Sequence, residues 1–239
     1  MIRKAIVLAA GRGSRMGALT EELPKPMLPI EGRPMIGHIV ERLREAGLRE
    51  ILIVTGYRRE SIEAHFRGVE GVSFVTQLAT EGTAKAVGLG RGFAGEDPFL
   101  LTFGDILCGG ANYSGICEKL EQSAAAAVIG VKYVDDPWQG AAVYADASGA
   151  VAKIIEKPAR GTSVTRWNSA GLYAFTPEIF EEIETTPKSP RGEYEITTSI
   201  AQLIDRRRAV RMFEMQGAWR DVGRPGDLDE ASATLNDSA

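Results

Sequence analysis

The sequence predicts a doubly wound α/β fold, in which a mostly parallel sheet carries helices on both faces and is extended by antiparallel strands within a single domain. Three observations lead there. Short unbroken apolar runs alternate with segments of helical periodicity through the first part of the chain. A glycine-rich loop follows directly on the first of those runs. Further on, paired short strands flank a tight-turn sequence, which suits antiparallel pairing.

Ala5 to Ala9 is the first apolar run, and it reads as a central strand buried on both faces. After the loop Gly11 to Pro29, Pro34 can open a helix whose apolar positions Met35, Ile36, Ile39, Val40 and Leu43 recur at helical spacing, with Gly47 as its C-terminal cap. Ile51 to Val54 is a second buried strand. A short helix around Glu60 to Phe66, a strand near Val72 to Val75, a helix from Thr83 to Leu89 and the apolar run Phe99 to Thr102 continue the alternation. Ala141 to Tyr144 and Val151 to Ile155 flank Asp146-Ala147-Ser148-Gly149, a hairpin turn. A helix from Ile196 to Arg207, a strand near Val210 to Glu214 and a last helix after Pro225 complete a Rossmann-like reading over residues 1–239. No internal repeat divides the chain.

Composition narrows the function classes. With 239 residues and 44% hydrophobic residues, the chain can bury a sizeable core around one sheet. A net charge of -4 gives no general attraction to nucleic acid or to an anionic membrane, so a polyphosphate must be held by a few placed cations. The apolar run at the N-terminus is too short to span a bilayer and reads as a strand. Only Cys108 and Cys117 are present, which suits a reducing cytoplasm better than a disulfide framework. His38 and His65 lack cysteine or histidine neighbours at zinc-ligand spacing, and no Ser-His-Asp nucleophile set can be assembled.

The sharpest chemical signal is Leu8-Ala9-Ala10-Gly11-Arg12-Gly13-Ser14-Arg15-Met16, followed by Pro24-Lys25-Pro26. Glycines just after a buried strand let backbone N–H groups approach phosphate oxygens, and two cations on one loop can neutralise a triphosphate. Leu8, Ala10, Gly11, Gly13 and Ser14 are the positions of this loop expected to contact a nucleotide. A P-loop would need Gly-Lys-Ser/Thr where Arg15 and Met16 stand, and the dinucleotide fingerprint fails because Met16 occupies its third glycine position. Phe103-Gly104-Asp105 follows a second buried run, which puts Asp105 on the same rim of the sheet as the glycine loop, where a carboxylate could hold a metal.

These motifs resemble the signature of the sugar-1-phosphate nucleotidyltransferase family, Gly-x-Gly-Thr/Ser-Arg followed by Pro-Lys-Pro, and the likeness extends over nearly the whole chain. The resemblance implies that Arg15 grips the phosphates of a nucleoside triphosphate (NTP) and that Lys25 sits by the phosphoryl group under attack. It further implies that Asp105 and Asp221, within Trp219-Arg220-Asp221-Val222-Gly223, coordinate Mg²⁺, an ion that favours carboxylate and phosphate oxygens. Gln77, Gly82 and Thr83 resemble the base-reading segment of members that use UTP or dTTP. A carboxamide offers one donor and one acceptor side, which matches a pyrimidine edge. Gly140, Glu156, Lys157 and Asn168 resemble the sugar side, where a carboxylate and a carboxamide suit hydroxyls and a lysine suits a phosphate.

The implied reaction is transfer of a nucleoside monophosphate to a sugar 1-phosphate with release of pyrophosphate. The acceptor is already anionic, so the chemistry calls for cations, carboxylates and glycines and for no general base. NTP and sugar 1-phosphate are the expected partners, with a homo-oligomer as the family's common state. Two rival readings stay open at this point: a cytidylyltransferase acting on another phosphorylated acceptor such as phosphocholine, and a catalytically silent nucleotide-binding regulator.

Overall fold

A computed structural model describes residues 1–236. Strand β1 (Lys4–Ala9) leads into the glycine loop, a 3-10 segment at Ser14–Thr20 and a 3-10 turn at Lys25–Met27. The two-residue strands β2 (Pro29–Ile30) and β3 (Arg33–Pro34) precede α1 (Met35–Glu45), β4 (Glu50–Thr55), α2 (Arg59–His65), β5 (Val72–Thr76), α3 (Thr83–Gly88), α4 (Arg91–Ala94) and β6 (Phe99–Phe103). Next come β7 (Ile106–Cys108), α5 (Gly110–Ser123), β8 (Ala127–Tyr133), β9 (Ala141–Ala145), β10 (Val151–Glu156) and β11 (Trp167–Phe175). The chain ends with α6 (Ile179–Thr185), α7 (Ile196–Asp205), β12 (Val210–Glu214), β13 (Trp219–Asp221) and α8 (Asp227–Asn236).

Strands β6, β1, β4 and β5 lie side by side and parallel. Strand β11 then runs antiparallel to β6 and carries the extension, with β8 along its other edge, β9 and β10 beyond its start, and β12 parallel to β8. The reason β1 reads as an unbroken apolar run is visible in its packing. Ala5, Val7 and Ala9 enter the core under α1 and α5, whereas Ile6, Leu8 and Ala10 enter the opposite core under α3, α6 and α7.

Because β4 and β6 flank β1 on opposite sides, the strand order reverses there, and ligands of open α/β sheets bind in the crevice at such a point. The glycine loop after β1, Gln77 after β5 and Asp105 after β6 all lie at the carboxyl ends of the parallel strands.

Most expected elements stand within a residue or two of their sequence positions. Pro34 precedes α1, and Gly47 beyond its end takes a φ of 92° and donates its N–H to Arg44, a left-handed C-terminal cap. In the β9–β10 hairpin, Asp146 Oδ1 accepts the N–H groups of Ser148 and Ala150 at 2.8 and 3.1 Å, which locks the turn. The sequence reading assigns no element to β8, β11 or α6, and none to the short pair β7 and β13. Strand β11 is masked by a bulge: its register shifts between Ser169 and Tyr173, and Gly171 sits there at a φ of 73°. A side chain at Gly171 would press within about 3 Å of Ile106 and Phe103. Both cysteines are free and buried, with burial pushing their thiols up to about 11 for Cys108 and about 12 for Cys117. No helix of the described residues is long and apolar enough to cross a membrane.

Candidate active site

The signature loop and the Phe103-Gly104-Asp105 turn are fitted to each other through Pro24-Lys25-Pro26. Lys25 is 8% exposed, and its Nζ is ion-paired with Asp105 Oδ2. Gly13, at a φ of 71°, has no room for a side chain, since a Cβ there would come within 2.7 Å of Lys25 Cβ. Gly104 likewise admits Pro26, whose Cγ would stand 3.0 Å from an added Cβ. The glycines of both motifs therefore bring this lysine and this carboxylate together. Gly11 is exposed with open space around it, so its backbone is accessible to a ligand.

Asp221 reaches Asp105 through a two-stranded arch. β13 pairs antiparallel with β7, Asp221 stands opposite Ile106, and the Val222 N–H donates to the Asp105 carbonyl at 3.0 Å. Trp219 anchors the arch by donating its indole N–H to the Ala170 carbonyl in the β11 bulge at 2.9 Å. Although Asp221 keeps exposed surface in the cleft, its carboxyl is crowded by protein atoms. That burial pushes its pKa up to about 6, with the negative charge of Asp105 adding to the effect and Lys25 and Arg15 opposing it.

Two crowded carboxylates form a pair of hard oxygen donors that a divalent cation would relieve of their repulsion. Among the described residues no group of three or more His, Cys, Asp or Glu forms a fuller metal cage. A cation held here would draw its other ligands from water and from bound phosphates, as Mg²⁺ prefers, and the residues present fit that ion.

The raised pKa has a consequence for stability. Between Asp221's ordinary value and about 6 the native state binds more protons than the unfolded chain, so this group destabilises the fold as pH rises through that window. Asp221→Asn should accordingly melt above the wild type at pH 7 in metal-free buffer, with the difference shrinking toward pH 4. A variant melting lower at pH 7 would show that the crowding is not felt by the carboxylate.

A cleft of about 630 Å³ opens beside this pair and is lined by Arg15, Thr83, Asp105, Gly140, Glu156, Lys157, Asn168 and Asp221 among others. Leu8, Ala10, Gly11, Gly13, Ser14, Lys25, Gln77 and Gly82 do not line it. Lys25 lies behind Asp105, while Leu8 and Ala10 close the end of β1, their carbonyls accepting the N–H groups of Gly104 and Tyr57. Gln77 and Gly82 sit beyond Thr83 at one end, where Gln77 Nε2 donates weakly to the Gly82 carbonyl at 3.4 Å. A side chain at Gly82 would collide with the backbone of Tyr194, so this glycine joins the Gln77 loop to the segment that enters α7.

Next to Thr83, whose Oγ1 accepts the Ile196 N–H at 2.9 Å, Glu156 Oε2 accepts the Thr197 hydroxyl at 3.0 Å, and Oε1 faces Arg191 at 3.4 Å and Lys157 at 4.0 Å. Burial raises the pKa of Glu156, helped by the buried Glu195. Lys157 takes a φ of 41°, costly for a side-chain-bearing residue, and its N–H donates to the Gly140 carbonyl at 2.7 Å. Asn168 is 8% exposed, and its Oδ1 has no partner among the described residues. Gly140 passes directly over that oxygen, where any side chain would collide with it.

Sequence reading missed Arg191, Glu195, Thr197 and Arg224, all of which line the cleft. The alternating carboxylates of Glu193-Tyr194-Glu195 just ahead of α7 are the one local signal that could have drawn notice to the first three.

The fold and the site together define an α/β protein with a glycine-rich loop after its first strand, a carboxylate pair and a polar cleft at the switch point of its sheet. The pattern of the nucleotidyl transferase family matches residues 4–238, and the chain belongs to that family. It is 34% identical over 243 residues to the UTP–glucose-1-phosphate uridylyltransferase AglF of Haloferax volcanii, covering 98% of this chain and 97% of that protein. It is also 36% identical over 233 residues to the bifunctional protein GlmU of Methanocaldococcus jannaschii, covering 98% of this chain but 54% of that protein. The chain thus spans about half the length of several curated relatives it matches. Among solved structures, the UTP-bound UGPase from Acinetobacter baumannii superposes with a TM-score of 0.87 at 28% identity, covering 98% of this chain and 93% of that one.

Proposed function

We propose that the protein transfers a nucleoside monophosphate from an NTP to a sugar 1-phosphate and releases pyrophosphate. The observation that carries this reading is the juxtaposition of Asp105 and Asp221 in the cleft, with Lys25 ion-paired behind Asp105, Arg15 beside them and a second polar cluster around Glu156. Cations and carboxylates in the first cluster suit a triphosphate with its metal. The Asn168 carboxamide and the Glu156 carboxylate, both lining the cleft, suit the hydroxyl groups of a sugar, while Lys157 and Arg191 suit its phosphate.

The chain's own residues then do three things. Arg15 and the glycine-loop backbone hold the triphosphate. Lys25 stands where charge builds on the phosphoryl group under attack, and the sugar cluster aims the acceptor's phosphate oxygen in line with it. Mg²⁺ held by Asp105 and Asp221 would supply further charge neutralisation. The acceptor oxygen is already ionised, so no side chain has to remove a proton. The reading further takes 1–239 as one catalytic domain, a cytoplasmic setting and a homo-oligomer, the last checked by light scattering. The relative named a UTP–glucose-1-phosphate uridylyltransferase favours this acceptor over phosphocholine, and retention of Arg15, Lys25, Asp105 and Asp221 together favours an enzyme over a silent regulator.

The test is a pyrophosphate-release panel crossing five NTPs with several sugar 1-phosphates. UTP or dTTP should lead GTP and ATP by about tenfold or more in kcat/KM, because a purine would leave the Gln77 carboxamide partly unpaired, at a cost of about 1–3 kcal/mol. Gln77→Ala should relax the choice of base and leave the sugar preference unchanged. A wild type that prefers GTP would overturn the assignment of Gln77, and one that releases pyrophosphate with no sugar 1-phosphate would overturn the reaction.

A further inference from the structure

Four arginines line the cleft: Arg15, Arg191, Arg220 and Arg224. Two of them are already neutralised. Arg191 is paired with Glu193 at 3.1 Å and lies within 3.5 Å of both Glu156 and Glu195, and Arg220 is ion-paired with Glu230. Arg15 and Arg224 are the two that form no ion pair within 4 Å among the described residues, Arg15 acting on Asp221 only from a longer distance.

The turn that carries Arg224 is held rigidly. It follows Asp221 at the end of β13, and Asp227 Oδ2 accepts both the Gly223 N–H at 2.8 Å and the Arg224 N–H at 2.7 Å. The carboxylate three residues from Arg224 is therefore spent on backbone donors, which leaves the guanidinium free while fixing its root. The turn also lies against the triphosphate end of the cleft. A Cβ built on Gly223 would stand 3.8 Å from Asp221 Oδ1 and 3.9 Å from Arg15 Nη1, whereas Lys157 and Arg191 gather around Glu156.

We infer that Arg224 is an additional phosphate-contacting residue, which grips the pyrophosphate portion of the NTP together with Arg15, and that Asp227 is its positioning residue. The inference rests on the reaction proposed above. Its chemistry is that of a planar guanidinium donating two parallel N–H bonds to phosphate oxygens, for which an unpaired arginine rooted on a fixed turn is suited.

The experiment measures the binding of inorganic pyrophosphate, with Mg²⁺, by isothermal titration calorimetry, and then the separate KM values for NTP and sugar 1-phosphate. Arg224→Ala should weaken pyrophosphate binding and raise the KM for NTP by about tenfold, the size of one charge-assisted contact, while the KM for sugar 1-phosphate stays within about twofold. Arg224→Lys should fall between. Asp227→Ala should reproduce the arginine deletion, whereas Asp227→Asn, which can still accept both N–H bonds, should stay close to wild type. If wild type and Arg224→Ala bind pyrophosphate equally, the role of Arg224 is lost while the reaction stands. A wild type that binds neither pyrophosphate nor NTP overturns both.

Discussion

Replacing Lys25 with alanine is expected to lower turnover on the order of 10²-fold or more, the loss that follows removal of one preorganised donor to developing charge. The ammonium is ion-paired with Asp105, the stem runs against Gly13, and the residue is almost wholly buried. A cation held in this way needs no reorganisation at the moment of reaction, so its loss should appear in kcat rather than in KM. Removing it also leaves Asp105 facing Asp221 without its counter-charge, so the variant should melt lower than wild type at pH 7 and recover part of the difference at pH 5. Lys25→Met, which keeps most of the stem, separates packing from charge and should be equally inactive. Arg15→Ala should lose activity on the same order, but because Arg15 is exposed its melting temperature should hardly move. Normal pyrophosphate release by either variant would remove that residue from phosphate binding.

How far the site could be read from sequence depends on how its parts are joined. The glycine loop, Pro24-Lys25-Pro26 and Phe103-Gly104-Asp105 each follow a parallel strand buried on both faces, and such strands leave an unbroken apolar run that locates the loop after them. The pairing of Asp105 with Asp221 left no local trace, because it depends on the three-residue ladder between β7 and β13, too short to show periodicity. Strand β11 was hidden for a related reason. Its pattern breaks at Asn168-Ser169-Ala170-Gly171, where the register shifts, Asn168 lines the cleft and Ala170 gives Trp219 its carbonyl partner. The feature that obscured the strand is the one that builds the site. Arg224 was passed over because an arginine beside Pro225 looks like any solvated turn. What sets it apart is the use of Asp227 on backbone donors, which appears only once the chain is folded.

Excess EDTA should abolish turnover, and Mg²⁺ should restore it. The two carboxylates explain why: crowding and the charge of Asp105 push the Asp221 pKa up to about 6, and a divalent cation is the partner that would offset the cost of holding both charges side by side. Because such a cation would bind the folded chain and not the unfolded one, Mg²⁺ should also raise the wild-type melting temperature in a concentration-dependent way, without any substrate present. Asp105→Asn tests the site by both readouts. Asparagine keeps the shape of the side chain and can still accept a hydrogen bond from Lys25, so the fold should persist. It lacks the charge to hold a cation at millimolar concentration, and turnover should fall by about 10²-fold or more at low Mg²⁺ and recover in part at high Mg²⁺. The melting temperature of the variant should no longer respond to Mg²⁺. Should Asp105→Asn work at full rate in low Mg²⁺ and keep the wild-type melting response, the metal would have to be held elsewhere, and Asp105 would be left as the anchor of Lys25 alone.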